Sequence, residues 1–334
     1  MHGWIILDKP LGLGSTQGVS AVKRALRQGG YAKAKVGHGG TLDPLATGVL
    51  PIAIGEATKL AGRLLDSDKI YDFTIAFGEQ TDTLDAEGAV IATSDLRPTA
   101  AQVAAILPRF TGAIAQVPPA YSALKIDGER AYDRARAGED VVLASRDVVI
   151  HALHSSPHRG EGDRSPKANG GGGAATSGSP GGEPPPPSLR DGPPPRPGEE
   201  LHGITLTAHV SKGTYIRSLA RDIALALGTV GYVTMLRRTK AGPFDLTQAI
   251  SLDKLDEAAK ARDLEYLLLP LRAGLDDIPA LPLTPDQAGA LRQGRLLAGI
   301  VADDGQHFAM LDCVPVALVE VLDREVRVVR GFNL

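Results

Sequence analysis

Apolar residues recur along this chain at two spacings, every second position in some segments and every third or fourth in others, and the two rhythms predict strands and helices. Trp4 to Leu7, Tyr71 to Phe77 and Ala89 to Ala92 read as strands, while Ser20 to Gln28, Thr99 to Phe110 and Tyr215 to Leu227 read as helices. In the last of these, Ile216, Leu219, Ala220, Ile223, Ala224 and Leu227 form one apolar stripe. Arg217 and Arg221 lie four apart off that stripe, near the N-terminal end, and Gly228 is a plausible stop. After roughly Leu255 the pattern weakens, then Phe308 to Leu311, Pro315 to Leu322 and Glu325 to Phe332 give short strands typical of a small β-module.

One stretch follows neither rhythm. Ser155 to Glu200 holds 11 Gly and 11 Pro among 46 residues, with Leu189 its only large aliphatic residue. It cannot bury a core and reads as a disordered or polyproline-like loop. The flanks, Asp147 to His154 and Leu201 to Val210, both read as strands, and an insertion between adjacent strands is tolerated because closure entropy rises slowly with loop length. Arg159, Arg164, Lys167, Arg190 and Arg196 could bind RNA or a partner, but Glu161, Asp163, Glu183, Asp191, Glu199 and Glu200 offset them. An inert expansion is the reading favoured.

At 334 residues and 43% hydrophobic, the chain suits a soluble globular protein of one large core and a second domain. No stretch approaches the roughly 20 apolar residues of a membrane span, and the start lacks a signal peptide's apolar segment. A single cysteine, Cys313, excludes an intrachain disulfide framework and agrees with a reducing cytoplasm.

The net charge of −3 argues on its face against nucleic acid, but its distribution is uneven. From Asp8 to His38 six cations, Lys9, Lys23, Arg24, Arg27, Lys33 and Lys35, face Asp8 alone. From His209 to Gly242 six more, Lys212, Arg217, Arg221, Arg237, Arg238 and Lys240, face Asp222 alone. Such local patches are what phosphate binding needs. Singly, Lys23, Arg24 and Arg27 could equally form the solvated face of an ordinary helix.

The densest candidate chemistry lies between Gly37 and Thr47, which reads Gly-His-Gly-Gly-Thr-Leu-Asp-Pro-Leu-Ala-Thr. The glycines let the backbone come close to a ligand, and Pro44 pushes Asp43 toward an extended conformation that presents its carboxylate. Asp43 could instead cap a short helix beginning at Pro44. A phosphate loop needs Gly-Lys-Ser/Thr at its end and a dinucleotide fingerprint needs a third Gly where Leu42 stands, so neither fits. His38 and Asp43 lack a further ligand at metal-binding spacing.

The same residues, continued by Gly48-Val49-Leu50-Pro51, closely resemble the signature of the bacterial tRNA pseudouridine-55 synthases, the TruB family. Four further segments resemble that family in the expected order: Gly3 to Gly12, Gly55 to Lys59, Asp66 to Tyr71 leading to Gly78-Glu79-Gln80-Thr81-Asp82-Thr83, and Ser211 to Arg217 leading to Met235-Leu236-Arg237-Arg238. Two departures are visible. Gly39 follows the histidine where the family usually has threonine, and Gly14 precedes Ser15 where a hydroxyl residue is usual.

The resemblance implies Asp43 as catalytic nucleophile, Arg217 as the cation that pairs with it and Tyr71 as the ring that stacks on the uracil. It also implies that Tyr215 and Leu236 line the pocket and that His38 enters the RNA where the base has left. Lys59 and Lys9 follow as weaker candidates, for phosphate contact or local structure. Isomerising uridine to pseudouridine breaks a C1′–N1 bond and rejoins the uracil through C5, with no redox change, so neither cofactor nor metal is expected. The carboxylate can attack the base at C6 or the sugar at C1′, or help remove a sugar proton. It must stay ionised in a pocket dry enough to hold a base, and a paired cation resolves that conflict. A uridine stacked in an RNA loop must be flipped out to be reached.

The expected fold is α+β: a pseudouridine-synthase catalytic domain over residues 1–255 with a largely antiparallel mixed sheet flanked by helices, interrupted by 155–200. A connection over 256–275 leads to a small β-rich, PUA-like RNA-binding domain over 276–334. The expected partner is the T-arm of tRNA, with no membrane and no obligatory protein partner, the chain acting as a cytoplasmic monomer. Two other readings stay open: a guide-RNA-dependent relative acting on ribosomal RNA, and a non-catalytic module that binds or folds tRNA.

Overall fold

The computed structural model describes residues 1–122, 124–126, 128–139, 141, 143–156 and 200–334. The sequence begins with strand β1 (Gly3–Lys9), helix α1 (Ser15–Gln28), strands β2 (Val36–His38) and β3 (Ala46–Ile54), helix α2 (Ala61–Asp66) and strand β4 (Lys69–Phe77). α1 starts earlier than its apolar periodicity predicts because Gln17 folds back to accept the Gly14 N–H at 2.7 Å, half of a capping box. The helix predicted over Thr99 to Phe110 is capped by Thr99 and tightens into a 3₁₀ turn from Leu107, where Pro108 removes a donor.

A ten-stranded sheet dominates the molecule, ordered Leu269–Pro270, β1, β3, Gly231–Ala241, β4, Gly203–Val210, Arg146–Ser155, Gly112–Gln116, with β2 and Phe244–Asp245 off that path. Its pairings are antiparallel except between β3 and Gly231–Ala241. The strands predicted on either side of the Gly/Pro-rich segment do pair with each other. Most of that segment, residues 157–199, lies outside the described residues.

Alternation along the strands sorts side chains between two faces. Ile5, Leu7, Leu50 and Ile52 face α1 and helix Leu252–Ala261, whereas Trp4, Ile6, Val49 and Ala53 face the opposite way. There they meet Phe308 and Leu318 of a separate five-stranded sheet whose strands lie between Ala280 and Gly331, together with Phe332 just beyond its last strand. The three strands predicted near the C-terminus are Gly305–Leu311, Val314–Leu322 and Glu325–Gly331 of that sheet. The class is therefore α+β, with a large, mostly antiparallel sheet and a small β-rich C-terminal unit. Among the described residues, no helix is long and apolar enough to cross a membrane.

Candidate active site

The Asp-Pro pair forms a turn and not a helix start. The Ala46 N–H donates to the Asp43 carbonyl at 3.0 Å, and the apolar run beyond enters the sheet as β3. Asp43 caps nothing here, because β-branched and apolar residues bordered by β1 are more stable as a buried strand than as a short helix.

The backbone of this turn is pinned from several directions. Ser15 Oγ donates to the Leu42 carbonyl at 2.9 Å and accepts the Leu42 N–H at 2.8 Å. The Pro44 carbonyl accepts from the Gly12 N–H at 2.9 Å and from Lys9 Nζ at 3.1 Å. Arg238, buried to 1% exposure, donates to the carbonyls of Gly40, Thr41 and Val49. Gly48 lets β3 pass this close to Arg238: with φ of +97°, a Cβ would stand 2.2 Å from the Arg238 carbonyl oxygen. The result is a carboxylate on a fixed backbone, 44% exposed at its side chain.

Arg217 reaches Asp43 from helix Ile216–Ala226, whose N-cap is Tyr215. Its Nη2 lies 2.8 Å from Asp43 Oδ2 and its Nη1 3.2 Å from Asp85 Oδ2, and it also donates to the carbonyls of Thr83 and Tyr121. The apolar stripe is buried as predicted through Ala224, but Arg217 is buried beside it, since a cation in a helix's first turn is opposed by the helix dipole and is stabilised here by two carboxylates. Asp85 accepts from Thr83 Oγ1 and the Glu87 N–H as well, which leaves it well satisfied.

Asp43, Tyr71, Tyr215, Arg217 and Leu236 all line one cavity of about 350 Å³. Tyr71 projects from β4, and Leu236 lies opposite Ala46 where the parallel strands meet. Gln116 exchanges two hydrogen bonds with the Tyr215 backbone, at 2.8 and 3.2 Å, and the Arg146 guanidinium sits 5.3 Å from the Tyr215 ring centroid. Lys69 also lines the cavity; its ammonium caps α2 by donating to the carbonyls of Leu64, Leu65 and Ser67, and burial lowers its pKa to about 8.

The other three sequence candidates stand apart. Lys9 has no solvent exposure and binds the carbonyls of Pro10, Leu13 and Pro44, so it supports the turn from within and does not face a phosphate. Lys59 pairs with Glu56 at 2.7 Å and donates to the Gly331 carbonyl, which ties it to the C-terminal sheet. His38 sits on β2 opposite Ile52, outside the cavity lining. Its Nδ1 is buried without a hydrogen-bond partner, and burial followed by the Arg238 charge lowers its pKa.

The second basic patch changes meaning in three dimensions. Arg217 is spent on two carboxylates, Arg221 on Asp222, Lys212 on Asp66, Arg237 on Asp8 and Arg238 on backbone carbonyls. In the first patch, Lys23, Arg24, Arg27, Lys33 and Lys35 are exposed. Sequence reasoning missed Asp85, Lys69, Arg238 and Gln116. Asp85 follows the quoted Gly78-to-Thr83 segment by two residues and Arg238 ends another, so adjacency to a recognised segment was the one signal on offer.

Comparison with known proteins agrees with this architecture. Residues 26–161 match the model of the TruB family pseudouridylate synthase N-terminal domain, and residues 217–276 match that of the tRNA pseudouridylate synthase B C-terminal domain. The chain is 60% identical to the tRNA pseudouridine synthase B of Novosphingobium aromaticivorans, across all of this chain and 98% of that protein. It is 55% identical to the protein of the same name from Zymomonas mobilis, across all of this chain and 96% of that one. Among solved structures, a chain of an H/ACA RNP bound to a substrate RNA containing 2′-deoxyuridine superposes with a TM-score of 0.65 at 21% identity, covering 99% of this chain and 85% of that one. A chain of an archaeal box H/ACA sRNP gives 0.64 at 21% identity, covering 99% and 86%. These two share the fold.

Proposed function

This chain belongs to the TruB family of pseudouridylate synthases, and on that premise we propose that it converts uridine 55 in the T-loop of tRNA to pseudouridine, without guide RNA, cofactor or protein partner. One observation carries the reading: the Asp43–Arg217 ion pair opens onto a cavity whose other walls include two tyrosines and a leucine. Asp43 is the nucleophile. Arg217 pairs with it and aims it while the incoming base displaces water from its exposed side. Extruding a stacked base costs a few kcal/mol. Stacking on an aromatic ring returns about 1–3 kcal/mol; Tyr71, which lines the cavity, supplies that ring, with Leu236 and Tyr215 closing the pocket. His38 occupies the gap left in the RNA. Lys23, Arg24 and Arg27, exposed along α1, meet phosphates, and residues 276–334 form an RNA-binding unit joined through 256–275 to a catalytic unit of 1–255.

The test is to incubate the purified chain with unmodified tRNA transcript, with no guide RNA or cofactor present, and to map pseudouridine. Modification at the T-loop uridine is expected. No product at that position overturns the proposal, and product only when a guide RNA is supplied reassigns the enzyme to the guided class.

A further inference from the structure

On the face of the sheet opposite the cavity, we propose that Asp68, His151 and His209 form a binding site for a divalent transition metal of the zinc class. The opposition of faces follows from strand alternation. Leu206, Ala208 and Val210 are buried beneath the helices, so His209 points the other way, as Ile70 and Asp72 do on β4 opposite the inward Lys69, Tyr71 and Phe73.

His151 reaches the same place through an irregularity. Ile150 pairs with Val210 and Ala152 with His209, so His151 is the extra residue of a β-bulge. A bulge re-aims the side chain it carries, and here it brings the two imidazole centroids to 4.7 Å with their planes tilted by 45°. Asp68, just before β4, completes the group: its Oδ2 lies 3.1 Å from His151 Nε2 and 3.7 Å from His209 Nε2. The three ligand atoms all lie within 4.8 Å of one another. Zinc bonds of about 2.0–2.1 Å to nitrogen and oxygen place tetrahedral ligands roughly 3.3 Å apart. Two of the three separations thus stand near the required value, and the third is no more than 4.8 Å between two half-exposed rings.

The donor set matches the chemistry. Two borderline imidazoles beside one carboxylate favour zinc over calcium or magnesium, and three protein ligands leave a position for water or a phosphate oxygen. Entry is open, because Asp68 and His209 line a cleft of about 520 Å³ that Asp66, Asp276 and Asp277 share with Arg63 and Lys240. The bound ion would tie the start of β4 to Gly203–Val210 beside it and to Arg146–Ser155 one strand further on.

The full chain, stripped with chelator, is titrated with zinc chloride and separately with cobalt chloride. One saturable equivalent, visible cobalt absorption of tetrahedral strength and a zinc-dependent rise in Tm are expected. His151→Gln and His209→Gln should each weaken zinc at least tenfold and abolish the rise, while Cys313→Ser leaves both unchanged. Should either histidine variant fold poorly, the imidazole resonances of His151 and His209 in the unmodified chain must still move together as zinc is added. An absent saturable equivalent, binding indifferent to both histidine substitutions, or resonances that stay fixed would overturn the site.

Discussion

The guanidinium of Arg217 stands 3.2 Å from the carboxylate of Asp85, and both side chains are less than a tenth exposed. Asp85 thereby fixes the guanidinium from one side while Asp43 uses it from the other. Arg217→Ala leaves a buried carboxylate without its cation, which costs about 3–5 kcal/mol. A urea midpoint lowered to match is expected, and the double replacement Arg217→Met with Asp85→Leu should lose less than Arg217→Ala alone. Additive losses would show that the pair is not energetically linked.

Asp43→Asn keeps the turn, because the pinned groups are backbone carbonyls and N–H groups and not the Asp43 side chain. Turnover should disappear while the Kd for tRNA stays within a few-fold. Residual pseudouridine formation well above background would remove Asp43 from the nucleophile role.

Much of the fold was legible because alternation and helical spacing are local. The strands beside the Gly/Pro-rich segment, the helix carrying Arg217 and the C-terminal β-module all stand where their apolar periods predict. The turn at Pro44 could not be told from a helix cap in the sequence because Asp-Pro serves both structures equally, and only the partner strand β1 decides. The roles of Lys9 and Arg238 were hidden for a related reason: a basic residue in sequence carries no mark of whether carbonyls or water will receive its protons. Asp68, His151 and His209 are far apart in the chain and meet through a bulge, which no spacing rule reveals.

Burial lowers Lys9 and Lys69 from the usual 10.5 to about 8. Between pH 8 and 10.5 the folded chain has released protons that the unfolded chain still holds, so unfolding takes them up. The contribution of these lysines is least favourable below pH 8 and rises with pH through the window. Relative to Lys9→Met, the unmodified chain should gain stability between pH 7 and 9.5, with a ceiling of about 1.4 kcal/mol per pH unit. Parallel denaturation curves for the two proteins across that range would refute the assignment.

Gly39, where the family usually has threonine, is packed against Leu64: a Cβ there would lie 2.6 Å from Leu64 Cδ1 and 2.9 Å from Leu64 Cβ. Gly39→Thr overpacks this contact and should destabilise by about 1–3 kcal/mol, with part of the loss recovered by Leu64→Ala. Thermal melts of the single and double variants measure the coupling. A Gly39→Thr chain as stable as its parent would mean that Leu64 yields freely.

The strands on either side of the Gly/Pro-rich segment are already paired where it leaves, with the Ser156 N–H donating to the Thr205 carbonyl at 3.0 Å. Replacing residues 157–199 by a short linker should change Tm by only a few degrees and leave the modification rate nearly intact. A large loss of rate with Tm preserved would assign that segment a part in RNA binding.

The parallel pairing of β3 with Gly231–Ala241 also governs when the cavity can first be complete during synthesis. Asp43 leaves the ribosome early, in the turn before β3, whereas the parallel neighbour of β3 and the cationic partner of Asp43 are both encoded much later. Translation at about 5–20 residues per second therefore leaves the nascent chain for many seconds without the Asp43–Arg217 ion pair and without that strand pairing. A cavity assembled in this order is complete only late in synthesis, and a truncated product ending before Gly231 would carry the Gly37–Thr47 loop without the strand that lies parallel to β3.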